Sequence, residues 1–181
     1  MSRMFQVLVL TLMVLAASVD AAEVVSMKLC AVTDYDASSR DCAPGKALEG
    51  SNIMLDPTIV QSLYFLTAVK SAEAGDIYHF WIADGKTSGR ITVYEAASRT
   101  MREATQEELD WLKDRNIEGA QALVKLSVSA SPGYRTRSQK TFTTRNAGPW
   151  KVQVYDSTSL APLGEMSFTI TASASTTTEQ D

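Results

Sequence analysis

The sequence predicts an all-β fold, an immunoglobulin-like antiparallel β-sandwich with one inserted short helix. Apolar residues fall at every second position in several runs, as in Leu123-Val124-Lys125-Leu126-Ser127-Val128, the pattern of strands with one buried and one wet face. Gly, Pro and Ser turns separate these runs. A single stretch, about 103–119, breaks that rhythm with helical spacing. Seven to nine short strands point to two packed sheets; an open barrel is the other closure the same strands allow.

The elements follow in order. Val25, Met27, Leu29 and Ala31 alternate with Ser26, Lys28 and Cys30, which predicts a strand over 24–32. A polar loop runs on to about Ser51, with Pro44-Gly45 as a turn. Leu63, Phe65 and Val69 predict a strand over 60–70. After the Ala74-Gly75-Asp76 turn, Ile77 to Ile82 is bulky on both faces, as in a strand covered on two sides. Asp84-Gly85 signals a tight turn, and 90–94 is a short strand candidate.

Thr105 and Glu108 have the spacing of a capping box, and acidic residues fill the following turn. Leu109 and Leu112 share a face bordered by Trp111, and Gly119 closes the segment. These features predict a helix over about 106–116 that packs on a sheet edge or loop. The remaining strands are expected at 121–130, 138–143, 150–155 and 165–171.

The N-terminus reads as an export signal. Arg3 flanks an uncharged apolar run, Val7–Ala17, and Val19-Asp20-Ala21 places small residues where a signal peptidase needs them. Cleavage after Ala21 is expected, with export of the mature chain. Asp20 arrives too early for the ~20 apolar residues of a spanning helix, and no later segment has that length. Residues 22–171 then form one domain, with about 87–121 as its helical insertion. Residues 172–181, rich in Ser and Thr, are expected to be a disordered tail.

The chain carries 17 basic and 21 acidic residues, a net charge of −4. Removing Arg3 and Asp20 with the signal leaves that balance unchanged, which argues against general nucleic-acid binding. Cys30 and Cys42 are the only cysteines. In an exported chain such a pair is most simply a disulfide, and zinc would need further ligands. No cofactor is expected.

His79 is the only histidine, so any Ser-His-Asp chemistry would have to use it. Its setting in an apolar strand favours a core or rim histidine hydrogen-bonded to backbone. Asp34, Asp36, Ser38 and Asp41 resemble the start of a calcium loop, but Ser39 and Gly45 stand where its Gly and bidentate Glu belong. Arg135, Arg137 and Lys140 concentrate positive charge in an acidic chain. If 134–140 is extended, Arg135, Arg137 and Gln139 share a face suited to carboxylate, phosphate or sulfate groups. Trp81 and Trp150 are expected in the core, with Trp111 the one partly exposed and a possible contact surface beside the basic strand.

Three blocks resemble a bacterial family. Leu63-Tyr64-Phe65 with Ile77-Tyr78-His79-Phe80-Trp81 and Asp84-Gly85-Lys86 looks like its "H-x-W … G-K" block. Tyr134-Arg135-Thr136-Arg137-Ser138-Gln139-Lys140 looks like "W-R-T-aromatic-S-x-K", with Arg137 in place of the aromatic. Gly148-Pro149-Trp150-Lys151-Val152-Gln153-Val154 with Phe168 looks like the closing "G-x-W-x-V-x-V … F" hairpin. The family is domain of unknown function 2914, similar in outline to β-sandwich modules of the cell envelope. The resemblance spans about 60–170 and implies no defined activity. The leading reading is an exported, non-enzymatic binding or accessory module of the bacterial envelope, periplasmic or secreted, engaging a protein partner or envelope polymer. A carbohydrate-binding module, and behind it a hydrolase using His79, are the alternatives.

Overall fold

A computed structural model describes residues 22–48, 52–55, 61–86 and 89–172. The expected signal peptide and all of the expected tail except Ala172 lie outside these residues. The strands are β1 (Glu23–Ala31), β2 (Tyr35–Asp36), β3 (Asp41–Cys42), β4 (Asn52–Leu55), β5 (Gln61–Ser71), β6 (Gly75–Ala83), β7 (Thr92–Glu95), β8 (Thr100–Glu103), β9 (Ala120–Val128), β10 (Ser131–Phe142), β11 (Gly148–Asp156) and β12 (Pro162–Ala172). The helix α1 spans Gln106–Asp114.

The strands form three sheets. One has the order β1-β5-β10, a second the order β4-β12-β11-β6-β9-β7-β8, and β2 and β3 make a small hairpin. Pairing is antiparallel except for β12 with β4 and β7 with β9, which are parallel. The all-β reading with one short helix therefore holds.

The two large sheets pack face to face through alternate residues. Leu29, Leu63, Phe65 and Val69 from one meet Ile77, Trp81, Leu126, Val152 and Val154 from the other. The intervening residues of β6 and its neighbours, Tyr78, Phe80, Ile82, Leu123 and Tyr155, form a second apolar layer on the far side. So β6 is covered on both faces, as its unbroken bulk predicted.

The capping box forms as expected. Thr105 Oγ1 accepts from the Glu108 amide at 3.2 Å, and Glu108 Oε2 accepts from the Thr105 amide at 2.8 Å. Glu108 also receives two bonds from Arg102, at 2.6 and 2.7 Å, and one from the Tyr78 hydroxyl at 2.9 Å. Burial works to raise its carboxyl, but Arg102, the Thr105 amide and Tyr78 together hold it down at about 2.

Two expectations about this region need correction. The helix does not guard a sheet edge or loop; it lies on the outer face of the seven-stranded sheet, with Trp111 against Phe80 and Tyr155 at 4.9 and 4.8 Å between ring centroids. Trp111 is accordingly only 6% exposed, not the partly exposed residue the helix pattern suggested. An apolar stripe of Tyr78, Phe80 and Tyr155 was waiting for a cover, and a short helix with Trp111 and Leu112 supplies it.

Strand β10 begins at Ser131, seven residues before its expected start, because Tyr134, Thr136 and Ser138 continue the inward face beneath an outward row of arginines. The short strands β2, β3, β4 and β8 had too few alternating residues to stand out.

Candidate functional site

The seven-stranded sheet is wider than the three-stranded sheet that covers it. Beyond β9 it continues into β7 and β8, whose register places Val124, Tyr94 and Met101 side by side across the strands. Val124 is beneath the covering sheet and buried, whereas Tyr94 is 37% and Met101 69% exposed. The row of apolar side chains thus runs out of the core into solvent. Val93, between Thr92 and Tyr94, points the other way into the layer under α1.

The overhang and strand β10 enclose a cleft of about 560 Å³, within the size range of ligand sites. Thr92, Tyr94, Ala96 and Met101 border it on one side, Thr136 to Gln139 and Thr141 on the other, with Arg40 and Tyr64 at the rim. Among the described residues no carboxylate lines it. Residues 92–114 supply both the overhang and the helix.

The rim is built by the disulfide. Cys30 and Cys42 are joined, as expected, with Cα atoms 6.0 Å apart. The bond staples the β2–β3 hairpin over the outer face of β1-β5-β10, where Cys30, Cys42 and Leu66 pack with Tyr35 and Tyr64. Lys28 Nζ reaches Asp41 at 2.8 Å, and Arg135 donates to the Ser39 carbonyl at 2.6 Å. Burial tends to raise Asp41, but Lys28, the Cys42 amide and Arg135 hold it below the usual carboxylate range.

Arg137 lies over two tyrosines, 4.3 Å from the Tyr35 ring centroid and 4.9 Å from that of Tyr64, and donates to the Tyr35 hydroxyl at 2.7 Å. Such stacking fixes a guanidinium in place and leaves its remaining N–H groups for an incoming acceptor. Arg40 Nη2 caps the Arg135 carbonyl at 3.0 Å. Replacing both cysteines by serine should cost about 2–3 kcal/mol through the lost loop constraint. It should also loosen Tyr35 and Arg40; thermal melts with and without reductant check the first effect.

The sequence-selected residues are not all brought together. Arg135 and Arg137 share the outer face of β10 as predicted. Lys140 points the opposite way, with its amine 5.2 Å from the Trp150 ring centroid and 5.9 Å from that of Phe142. Burial pushes that amine down. Trp111 lies on the far side of the seven-stranded sheet. Sequence reasoning missed Arg40, Tyr35, Tyr64, Tyr94 and Met101. Tyr94 entered only as the end of the short strand candidate 90–94, and Met101 carried no signal at all.

His79 is fully buried. Its Nδ1 lies 2.9 Å from Ser138 Oγ and its Nε2 3.2 Å from Thr67 Oγ1. Its partners are therefore side chains and not backbone. Ser138 also accepts from Trp81 Nε1 at 3.0 Å, and Phe65 stands edge-on to the imidazole. Burial lowers its pKa from 6.5 to about 3, so the ring is neutral at any physiological pH. In the calcium-like loop, Asp36 accepts from Ser38 and Ser39, which hold it at about 2. Its oxygens serve a turn. Among the described residues no group of three or more His, Cys, Asp or Glu is placed to hold a metal.

These features define an all-β protein whose unequal sheets leave a cation-rimmed cleft at one side. Residues 109–170 match the family described as "Protein of unknown function (DUF2914)", which supports the resemblance carried by the sequence motifs. The match takes in α1 from Leu109 onward and the last two motif blocks; the first block lies outside it. No curated protein matches the chain. Among solved structures, a GH3 beta-glucosidase from Bifidobacterium adolescentis aligns at 10% identity and TM-score 0.34, over 83% of this chain and 17% of its own. A beta-glucosidase from Listeria innocua in complex with glucose aligns at 11% identity and TM-score 0.34, over 80% and 16%. The chain spans about one sixth of the length of these enzymes, and nothing of their activity transfers at that similarity.

Proposed function

We propose that the protein is an exported, non-enzymatic binding module of the bacterial envelope, and that it holds a protein partner in the cleft between β10 and the β7–β8 overhang. The observation that carries this reading is the apolar row Val124-Tyr94-Met101 leaving the core beneath a tyrosine-stacked Arg137. Exposed apolar side chains rimmed by polar groups mark interaction sites, and a pre-set guanidinium adds direction. The disulfide supports an oxidising compartment. Among the described residues no helix is long and apolar enough to cross a membrane.

Two observations weigh against the alternatives. A general base must reach the proton it takes, and His79 presents no atom to solvent. A sugar platform needs exposed rings, but Trp81, Trp111 and Trp150 are all buried, leaving Tyr94 as the exposed aromatic among the described residues.

Crosslinking and capture from native envelope test the proposal. A discrete protein held by the natural chain, and lost on Tyr94→Ser with Met101→Ser, is the expected result. Capture of glycan alone would favour a carbohydrate-binding module, and retention unaffected by either substitution would place binding elsewhere.

A further inference from the structure

The cleft has one wall that is a strand edge. On a strand, neighbouring side chains point to opposite faces, so four consecutive residues border one cavity only if the strand lies edge-on to it. Thr136, Arg137, Ser138 and Gln139 do so.

The other sheet edges are closed or short. The outer strands of the seven-stranded sheet, β4 and β8, have four residues each, the usual way of blunting an edge. On β1, the Leu48 amide bonds the Leu29 carbonyl at 2.7 Å, and Gly164 of β12 comes close to Met27 and Val24. By contrast β10 runs for twelve residues and, among the described residues, pairs on one side only, with β5. Its arginines do not cover the open side, since Arg135 and Arg137 are tied to the hairpin over the outer face.

The Arg135 carbonyl is capped by Arg40 and not by β5. Because the N–H and C=O of one residue leave a strand on the same side and alternate along it, the backbone groups of Arg137, Gln139 and Thr141 face the cleft as well. Resting on the binding reading above, we propose that this edge takes an extended, acidic segment of a partner protein as an added strand. The segment's backbone pairs with Arg137, Gln139 and Thr141. Alternate apolar side chains rest on Tyr94 and Met101, and carboxylates meet Arg137 and Arg40. A cleft with two arginines and, among the described residues, no carboxylate, in a chain of net charge −4, selects that charge.

Amide exchange of the full mature chain tests this, using a peptide of about eight residues alternating aspartate and valine. Two controls are its lysine counterpart and a form methylated on alternate backbone nitrogens. Added acidic peptide should protect the amides of Arg137, Gln139 and Thr141, the methylated form should not, and Arg137→Gln should weaken binding about tenfold. Equal protection by the lysine peptide, binding that survives methylation, or no protection at millimolar peptide overturns the strand. Protection that rises with protein concentration alone also overturns it, assigning the edge to a second copy of the chain. If the captured partner nevertheless depends on Tyr94 and Met101, the binding module stands and only strand addition falls. If neither is seen, both fall.

Discussion

Lowering the pH from about 7 to 5 should cost the fold about 2 kcal/mol, and replacing His79 by glutamine should remove most of that loss. The folded ring titrates at about 3 against an ordinary 6.5. Between those values the unfolded chain binds a proton that the folded chain refuses. Stability is therefore full above about 6.5 and falls by about 1.4 kcal/mol per pH unit as the solution is acidified. The shifted carboxylates do not share this window. Glu108, ordinarily at 4.5 and held at about 2, loses its contribution only as the pH falls below its ordinary value. Asp36, Asp41 and Asp156, with ordinary values of 3.8, act lower still. Glutamine keeps a donor and an acceptor for Ser138 and Thr67 while carrying no titrating group. Urea denaturation at pH 7, 6 and 5 measures the slope; a slope unchanged in His79→Gln would mean that another group carries it.

The second large effect is expected at Gly119. Its φ is +76°, and a Cβ built there would overlap the Ala83 carbonyl oxygen and meet that of Lys86 at 2.9 Å. Both obstacles are backbone, so neither can swing aside. The Gly119 carbonyl also accepts from the Ala83 amide at 2.9 Å, locking the end of β6 to the start of β9. Alanine there should cost about 3 kcal/mol or more, from the left-handed conformation and overpacking together. Gly85 is the matched control, with φ +68° but open space around it; Gly85→Ala should cost only about 1 kcal/mol. Similar losses at the two sites would show that the contact with β6 is not the cause.

How much was legible in the sequence depends on whether the signal was local. The unbroken bulk of Ile77 to Ile82 announced a strand covered twice. Thr105 and Glu108 announced a helix start, and two cysteines in a chain expected to be exported announced their bond. What covers what was another matter. Trp111 looked exposed because the rings that bury it, Phe80 and Tyr155, lie on strands far from α1 in sequence. The cleft was invisible for the same reason: it arises where one sheet outgrows another, and no residue encodes a difference in width. Arg135 and Arg137 were read correctly as one face of an extended strand. Arg40 and the two tyrosines that set the rim could be found only once the disulfide hairpin had been folded over that face.

The most direct measurement of the binding reading is site-specific photocrosslinking in the native envelope, with a photoreactive residue at position 101 or, as a control, at position 25. Both positions are exposed, at 69% and 49%, but only Met101 lies in the cleft. A discrete adduct from position 101 that is absent from position 25, and lost on Arg137→Gln, is the predicted result. Matching adducts from both positions, or none from 101, would contradict a binding cleft at the edge of β10.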